Sequence, residues 1–290
     1  MPLNLDIIIL TYNEEKNLEY CLQSVQGLGR NIFIVDSGST DGTIEIAKRY
    51  GTKIFTHEFI TQAQQFNWAL ENLSIQSEWV LRLDADEYLL PELREEINNT
   101  LADLPQKITG VYLKRRMIFR GQWIRYGGYY PTWILRLFRF GKARMEQADL
   151  NEHMVLLEGK AARLKHDFVD HDREGLCDWV LKHEGFAARQ ARFINKLQSG
   201  YRSDWIPARL LGNQAERKRW LLYHFYRHLP LFFRAYAYFF YRYFFRLGFL
   251  DGLQGFIFHF LQGCWYPFYT DVKIYEQRLR KNQTAGALKT

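Results

Sequence analysis

Residues 5–42 read LDIIILTYNEEKNLEYCLQSVQGLGRNIFIVDSGSTDG, and this stretch decides the fold. Its apolar run at 5–10 is followed by a polar loop and a helical spacing of apolar residues, and the run at 31–36 begins the same order again. The later predicted elements are strands at 53–56 and 79–83, a helix at 62–73 and a helix that Pro91 opens. Strands that alternate with helices predict an α/β fold, with a mostly parallel sheet flanked by helices.

Polar side chains follow the predicted strands. Thr11, Tyr12 and Glu14 come after the first strand, Asp36 ends the second, and the triplet Asp84-Ala85-Asp86 follows the fourth. Because α/β sheets bind ligands at the carboxyl ends of their strands, these residues are expected to share one site. The chain has neither GxGxxG after its first strand nor GxxxxGK[ST], which argues against dinucleotide-binding and P-loop proteins.

Asp84 and Asp86 stand one residue apart at a strand end. Two carboxylates with this spacing can bind Mg²⁺ or Mn²⁺, which prefer oxygen ligands and keep positions for phosphate oxygens. Such a cation would neutralise a diphosphate leaving group. An isolated pair of this kind more often caps a turn, so the surrounding residues must decide.

Composition places the chain among globular proteins. It has 290 residues, of which 39 are basic and 32 acidic, with a formal net charge of +7 and 47% hydrophobic residues. Its three cysteines, Cys21, Cys177 and Cys264, lack CxxC spacing, so we predict no disulfide framework and expect a reducing compartment. The first residues show no secretory signal pattern.

The C-terminal part differs from the rest in charge and aromatic content. Residues 201–290 contain 14 basic and 5 acidic residues, and 22 of the 48 aromatic residues lie between 220 and 269. If residues 229–250 and their flank form one helix, four arginines share a sector of its surface: Arg227, Arg234, Arg242 and Arg246. An arginine face beside an aromatic face predicts a helix lying on anionic lipid. The alternative is a core helix with a solvated arginine stripe, and these charges argue against a membrane-spanning helix.

Four blocks taken together resemble inverting glycosyltransferase family 2, which has the GT-A fold. They are DIIILTYNEEKNL at 6–18, IVDSGSTDGT at 34–43, QFNWAL at 65–70 and WVLRLDADE at 79–87. A weaker likeness at 166–191 and 244–260 points to bacterial members that build lipopolysaccharide cores or exopolysaccharide repeats. Those members act on lipid-linked acceptors at the cytoplasmic face of the membrane.

The resemblance implies a binding site for a nucleotide-sugar donor. Thr11, Tyr12 and Glu14 would lie along the nucleoside, and Asp36 would accept from the base edge. The triplet Asp84-Ala85-Asp86 would contact ribose, diphosphate and an Mg²⁺ or Mn²⁺ ion, with Asp86 as the more direct ligand.

Asn67, in the third block, completes the donor site that the resemblance implies. The chain departs from the family pattern at two places. Ser37 stands where members often carry a second acid, and Phe66 stands where Arg or Lys commonly precedes the Asn.

The acceptor half must supply a base for inverting transfer, a carboxylate that takes the acceptor hydroxyl proton. Glu152, directly before an apolar strand-like run, resembles the family's acidic motif, and Asp149 is the alternate. The polar cluster beyond it could complete the metal shell or bind acceptor phosphate: His166, Asp167, Asp170, His171 and Asp172. We predict His166 as its metal ligand; a zinc site is less favoured because no HExxH pattern or cysteine accompanies the histidines.

These observations predict three regions. Residues 1–105 form the nucleotide-sugar half of a GT-A domain, residues 106–200 its acceptor half, and residues 201–290 a basic, aromatic, helical region that associates with the membrane. The expected activity is metal-dependent transfer from a nucleotide sugar, first a UDP-sugar, to a saccharide or lipid-linked saccharide of the cell envelope. The expected place is the cytoplasmic face of the membrane, with an anionic membrane surface as partner.

Two other functions compete with this prediction. The sequence pI of about 9.2 and the interleaved arginines and aromatics also suit a protein that binds single-stranded nucleic acid. The acidic strand ends would repel phosphate, so no nucleic acid partner is predicted. A catalytically inactive membrane scaffold is the second alternative, and the presence of both Asp84 and Asp86 argues against it.

Overall fold

The computed structural model describes residues 2–147, 152–198, 200 and 206–287. The described chain forms two compact units. The first takes in 2–123, 130–147 and 152–173, and the second takes in 124–129 and the described residues from 174 onward. The division at residues 105 and 200 into donor, acceptor and membrane-associating regions stays a prediction.

The first unit alternates strands and helices and then becomes all strands. Its elements are β1 Leu5–Thr11, α1 Leu18–Val25, β2 Asn31–Asp36, α2 Thr43–Arg49, β3 Lys53–Thr56, α3 Gln62–Asn72, β4 Trp79–Asp84, β5 Glu87–Leu89, α4 Pro91–Thr100, β6 Ile108–Phe119, β7 Gln122–Ile124, β8 Thr132–Arg139, β9 Ala143–Met145, β10 Met154–Leu156 and β11 Lys160–Asp170. The predicted α/β class is confirmed.

Nine strands form one sheet in the order β3-β2-β1-β4-β8-β6-β11-β5, with β7 beside β6. The first four are parallel, as the alternating pattern predicts. β8 runs antiparallel to its neighbours β4 and β6, β6 and β11 are parallel, and β5 is antiparallel to β11. β9 and β10 form a separate antiparallel pair.

The link between β4 and β5 constrains this sheet. Only Ala85 and Asp86 separate the two strands in the chain, yet β4 is fourth and β5 eighth in the sheet order. The three Cα–Cα steps from Asp84 to Glu87 span at most about 11 Å, so the sheet must curl until its far edge returns to the end of β4. The curl brings the carboxyl end of β11, which pairs with β5, next to the acidic triplet.

Burial on both faces explains why β1 is a continuous apolar run. Ile7 and Ile9 pack with the apolar face of α1, while Ile8 and Leu10 pack with the apolar face of α3. Asp6 is buried within the same strand, and its carboxylate accepts hydrogen bonds from the Asn31 side chain and the backbone N–H groups of residues 76 and 77. A central strand with both faces covered positions the loop that follows Thr11.

The second unit is helical in the part that the structure describes. Its helices are α5 Leu176–Gln198, α6 Gln214–His224, α7 Phe233–Phe240, α8 Gly252–Phe260 and α9 Tyr266–Ala287. Wide π-helical turns follow α7 and α8, and a 3₁₀ turn at Gly248–Asp251 precedes α8. Among the described residues, no helix combines the length and the apolar character needed to cross a bilayer.

The arginine face predicted for 229–250 is wrong. The segment is not one helix, because α7 begins only at Phe233 and changes to a π-helical turn after Phe240. Arg234 is 1% exposed and its Nε lies 2.8 Å from Asp271 Oδ1. Arg242 is also buried and donates from Nε to the Gly127 carbonyl at 2.8 Å.

Removing one partner of the Arg234–Asp271 pair should destabilise the protein strongly. We expect Asp271→Ala to lower the free energy of unfolding by about 3–5 kcal/mol, because it leaves a buried guanidinium without its counter-charge. The matched control is Glu184→Ala. This change breaks a partly exposed pair in which Glu184 Oε1 lies 2.7 Å from Lys273 Nζ, and Lys273 lies on the same helix as Asp271. That change should cost at most about 1 kcal/mol. Denaturant unfolding measures both, and equal losses would contradict the assignment.

Candidate active site

The loops after β1 and β2 are joined through Asp36. One carboxylate oxygen accepts from Thr11 Oγ1 at 2.9 Å and from Ser39 Oγ at 2.5 Å. The other accepts from the backbone N–H groups of Gly38 and Ser39, both at 2.8 Å. Asp36 is buried, so the structure shows it shaping the loop, and its contact with a base edge stays a prediction.

The loop after β1 is held against the loop after β2. Asn13 adopts a left-handed backbone with φ of 53°, and its side-chain oxygen accepts from the Thr40 N–H at 2.8 Å. The Glu14 N–H donates to Thr43 Oγ1 at 2.7 Å, and the Glu14 carboxylate accepts from the Asn17 side chain. Tyr12 stands between these anchors with 59% of its surface exposed. An exposed ring on a fixed loop can stack on a nucleobase, which fits its predicted place along the nucleoside.

Asp84, at the end of β4, lies between two buried arginines. Its Oδ1 accepts from Arg82 at 2.9 Å and from Gln62 Nε2 at 3.2 Å, and its Oδ2 accepts from Arg136 at 2.8 Å. Arg136 also bonds the Glu87 carboxylate, which in turn accepts from the Asp84 N–H at 3.0 Å. The network therefore joins the residues that precede and follow Ala85 and Asp86.

The hydrogen bonds and charges of this network shift the pKa values of the Asp84 and Glu87 carboxyls. Burial opposes ionisation of Asp84, but Arg136 and Arg82 hold the pKa of its carboxyl well below the usual range. Burial, opposed by Arg136 and reinforced by Asp84, raises the pKa of Glu87 to about 7. Asp84 is thus anionic, with its charge already balanced by Arg82 and Arg136, and the role of Asp86 as the more direct cation ligand stays a prediction.

Asp86 is half-buried and lies beside the end of β11. The His171 N–H donates to the Asp86 carbonyl at 2.9 Å, continuing the antiparallel pairing of Asp170 with Glu87. Burial and the charge of Arg173 lower the pKa of His171. The structure thus places a histidine of the predicted polar cluster next to the triplet.

The rest of that cluster is distributed elsewhere. His166, predicted as a metal ligand, bonds through Nδ1 to Glu96 on α4 at 2.8 Å, so the structure does not bring it to the triplet and corrects that prediction. Asp167 pairs with Arg116 at 3.0 Å, and Asp170 pairs with Arg115 at 3.1 Å. Within the described ranges, no three His, Cys, Asp or Glu side chains converge in a ready-made metal site.

Glu152 reaches the first turn of α3. Its Oε2 accepts from the Ala63 N–H at 2.8 Å, while the neighbouring Gln62 contacts Asp84. A helix N-terminus stabilises an anionic carboxylate. Glu152 and Asp84 are thus bonded to successive residues in the first turn of α3, and the role of Glu152 as the base stays a prediction. Asp149, the alternate, lies outside the described residues.

Asn67 has a structural position, contrary to the donor contact predicted for it. Its side-chain nitrogen donates to the Met145 carbonyl at 2.9 Å, and its side-chain oxygen accepts from the Met145 N–H at 3.0 Å. The side chain is buried, and these two bonds hold α3 against β9. Phe66, the second departure from the family pattern, packs edge-on against Phe138 in the core, 6.3 Å between centroids.

Strands β6, β7 and β8 carry a surface of cations and rings that was not predicted from the sequence. Arg116 lies over the Trp123 ring at 4.1 Å, and Lys114 faces the rings of Tyr130 and Trp133 at 5.8 and 5.9 Å. Arg163 of β11 lies 4.9 Å from Trp133. The signal was the basic run at 114–116 in β6, in which Lys114 and Arg116 share one face, and only the strand pairing of Lys114 with Trp133 makes it meaningful.

Comparison with known proteins identifies the family. The model of glycosyl transferase family 2 matches residues 6–163. The chain belongs to this family. It is a glycosyltransferase, and the resemblance seen in the four sequence blocks is confirmed.

Two relatives show how far the likeness extends along this glycosyltransferase. The lipopolysaccharide core biosynthesis glycosyltransferase LpsC of Rhizobium meliloti is 30% identical over 293 residues, which cover 97% of this chain and 94% of that protein. An uncharacterized glycosyltransferase of Rickettsia typhi is 33% identical over 114 residues, covering 39% and 38% of the two chains.

The solved structure of the mannosyltransferase PcManGT from Pyrobaculum calidifontis, in complex with GDP-Man and Mn²⁺, has a TM-score of 0.52 to this glycosyltransferase. The two chains are 15% identical, and the match covers 95% of this one and 88% of the other. At that identity the likeness shows the fold alone. The predicted GT-A fold is confirmed.

The two roles considered for Asn67, structural and donor-binding, predict different effects of its removal on stability and on donor affinity. We expect Asn67→Ala to lower the free energy of unfolding by about 2–4 kcal/mol, since it leaves two buried backbone groups of Met145 unpaired. Donor affinity of the folded fraction should stay within about twofold of the parent chain.

Asn72→Ala is the control, because the Asn72 side chain bonds only its own helix, at Trp68 O, and is exposed. Thermal unfolding and calorimetric donor titration distinguish the two roles. A stable Asn67→Ala chain that has lost donor affinity would restore the donor-binding assignment.

Proposed function

We propose that this glycosyltransferase moves a sugar from a nucleotide-sugar donor to a saccharide or lipid-linked saccharide acceptor, with inversion and with Mg²⁺ or Mn²⁺. The observation that carries the proposal is the first turn of α3, where Gln62 contacts Asp84 and Ala63 binds Glu152. Asp84, an acid on the donor side, and Glu152, the candidate base, are thereby bonded to adjacent residues of α3. The family assignment favours this enzyme over a nucleic-acid-binding protein or an inactive scaffold.

The donor side fits a nucleotide diphosphate brought in with a cation. The backbone of His171 bonds the backbone of Asp86 at the strand edge, and the two buried arginines already balance Asp84. Mg²⁺ is commonly bound through one or two carboxylates plus substrate phosphates, so a site without three protein ligands suits it. When bound, the cation would supply charge to the leaving diphosphate. The complex of PcManGT with GDP-Man and Mn²⁺ supports this donor class, and UDP-sugars are the first to test.

The transfer step follows from the positions of Glu152 and the triplet. The acceptor oxygen attacks the anomeric carbon while the bond from that carbon to the diphosphate oxygen breaks. Glu152 takes the hydroxyl proton, and the electron pair of the broken bond leaves on the diphosphate. The Ala63 N–H fixes the carboxylate so that it can accept the proton without first reorienting.

The acceptor side combines rings with positive charge. The Arg116–Trp123 and Arg163–Trp133 stacks suit the rings of a saccharide, while Asp167 already pairs with Arg116 and Lys114. The name of the LpsC relative, which aligns over 97% of this chain, supports an acceptor from the lipopolysaccharide core. We place the reaction at the cytoplasmic face of the cell membrane, where such acceptors would be lipid-linked.

Loss of the Asp86 carboxylate should remove cation-dependent turnover. We expect Asp86→Asn to lower transfer, or donor hydrolysis with UDP-, GDP- or dTDP-sugars, by more than tenfold while the fold stays intact. The same variant should lose Mn²⁺ affinity in the presence of nucleoside diphosphate, measured by electron paramagnetic resonance.

Asp103→Asn, at an exposed carboxylate in the turn after α4, is the control for this prediction. Activity of Asp86→Asn above about a tenth of the parent, a change of at most about 1.4 kcal/mol, would argue against a role in cation binding.

Glu152→Gln should keep donor binding and lose turnover. The amide oxygen can still accept from the Ala63 N–H, but it cannot take a proton, and loss of a general base typically costs about 10²–10⁴-fold. Glu158→Gln, at an exposed carboxylate paired with Lys142, is the matched control. Single-turnover kinetics and donor titration separate the two effects. If Asp149→Asn shows the loss and Glu152→Gln does not, the base is Asp149.

A further inference from the structure

Charged side chains between residues 229 and 270 are turned inward. This stretch, all of it described, contains three arginines and one aspartate, and only Arg246 is exposed. Arg234 is paired with Asp271, and Arg242 donates to the Gly127 carbonyl and lies 3.7 Å from the Tyr129 ring. Asp251 is buried too, and its carboxylate accepts from the backbone N–H groups of residues 125 and 126.

Apolar side chains of the same stretch are turned outward. Phe245 is 80% exposed and Leu253 is 71% exposed. The other exposed apolar residues of its middle part are Phe240, Phe244, Leu247, Phe249, Leu250, Phe256 and Phe260. A protein in water normally shows the opposite arrangement, with charges outside and large apolar side chains inside.

The exposed rings form one connected surface, which we call the aromatic face: Phe240, Phe244, Phe249, Phe256 and Phe260. Phe240 stacks on Phe244 at 5.4 Å, and Phe256 stacks on Phe260 at 6.3 Å. Phe239 contacts Phe240, Phe256 and Phe260, while Tyr243 joins Phe244, Phe249 and Phe256. Contiguous apolar patches of this kind mark interaction surfaces.

We propose that the aromatic face, with Phe245 and Leu253, inserts into the acyl boundary of a lipid bilayer and holds the protein on one leaflet. The inference rests on the proposed membrane setting and names the surface and the mode of binding. A lipid interior accepts rings and leucines and rejects charge, which is the selection this surface shows. The sequence-based expectation placed arginines on lipid phosphate; the structure assigns the contact to apolar side chains.

The charges that would complement anionic headgroups lie in the flanks of this stretch. The exposed basic residues there are Arg209, Arg217, Lys218, Arg278 and Arg280. A protein partner would need matched polar contacts across the interface, about one hydrogen bond per 100–200 Å². The aromatic face consists of five phenylalanines, which offer no such side-chain groups, so lipid is the occupant it fits.

Vesicle sedimentation with the full chain tests the proposal. We expect binding to phosphatidylcholine vesicles and stronger binding when phosphatidylglycerol is added. High salt should reduce only the difference between the two, because screening acts on charge and not on apolar insertion.

Phe245→Ser combined with Leu253→Ser should reduce the partition coefficient for phosphatidylcholine vesicles about a hundredfold, since both side chains are exposed and lose their transfer into lipid. Because both are exposed, the melting temperature of the variant should stay at that of the parent. Leu157→Ser, at an exposed leucine of the first unit, is the control and should bind as the parent does.

Three results would overturn the proposal: no sedimentation of the parent chain with either vesicle, unchanged binding of the double variant, or binding that high salt abolishes. Analytical ultracentrifugation without lipid tests whether a second copy of the chain occupies the face instead. A parent dimer that the double variant converts to monomer, without vesicle binding, would assign the face to a second copy. Transfer to a water-soluble acceptor should persist in the double variant. Loss of membrane binding and failure of the catalytic proposal therefore give different results.

Discussion

The two-residue link between β4 and β5 is the constraint on which the rest of the catalytic unit depends. It obliges the sheet to curl, and the curl brings the end of β11 to the end of β4, which already has β8 as its direct neighbour. Arg136 of β8 occupies the inside of this closure and bonds Asp84 and Glu87 together. The triplet is therefore held from three strands, and its geometry does not depend on the loop alone.

Buried charge is tolerated in this protein only where it is matched. Beneath the triplet, two arginines and two carboxyls share one network, and the raised pKa of Glu87 shows that burial still opposes its ionisation. In the helical unit, the buried charges of Arg234 and Asp271 are matched by a single ion pair between them. The first network lies beneath the proposed donor site, whereas the second keeps charge away from a surface of exposed rings.

Features that depend on local sequence were predictable, and those that depend on distant partners were not. The strand β1 and the helix α1 follow from short apolar patterns, and the four blocks identified the family. Asn67 could not be read in this way, because its partner, Met145, lies 78 residues farther along the chain. A sequence cannot show that both polar atoms of a side chain are already used.

The choice between His166 and His171 shows the same limit in a strand. β11 changes register against β6 between Arg163 and Asp167, so counting residues from a predicted strand start cannot say which polar residue reaches the triplet. The helix wheel for the arginines failed for a related reason, since it assumed unbroken α-helical geometry across a segment that contains a π-helical turn.

In residues 229–270 the rings are exposed and most of the charges are buried. Composition alone therefore predicted the wrong side chains for a membrane contact. A surplus of arginine beside phenylalanine predicts charge on lipid only if both are exposed. Here the arginines of the stretch, apart from Arg246, have internal partners, and the basic surplus that remains exposed lies in the flanking segments. Attraction to anionic headgroups and insertion into the acyl region are thus assigned to different parts of the chain. Because screening weakens only the attraction, the proposed membrane binding should fall to its apolar part as the salt concentration rises.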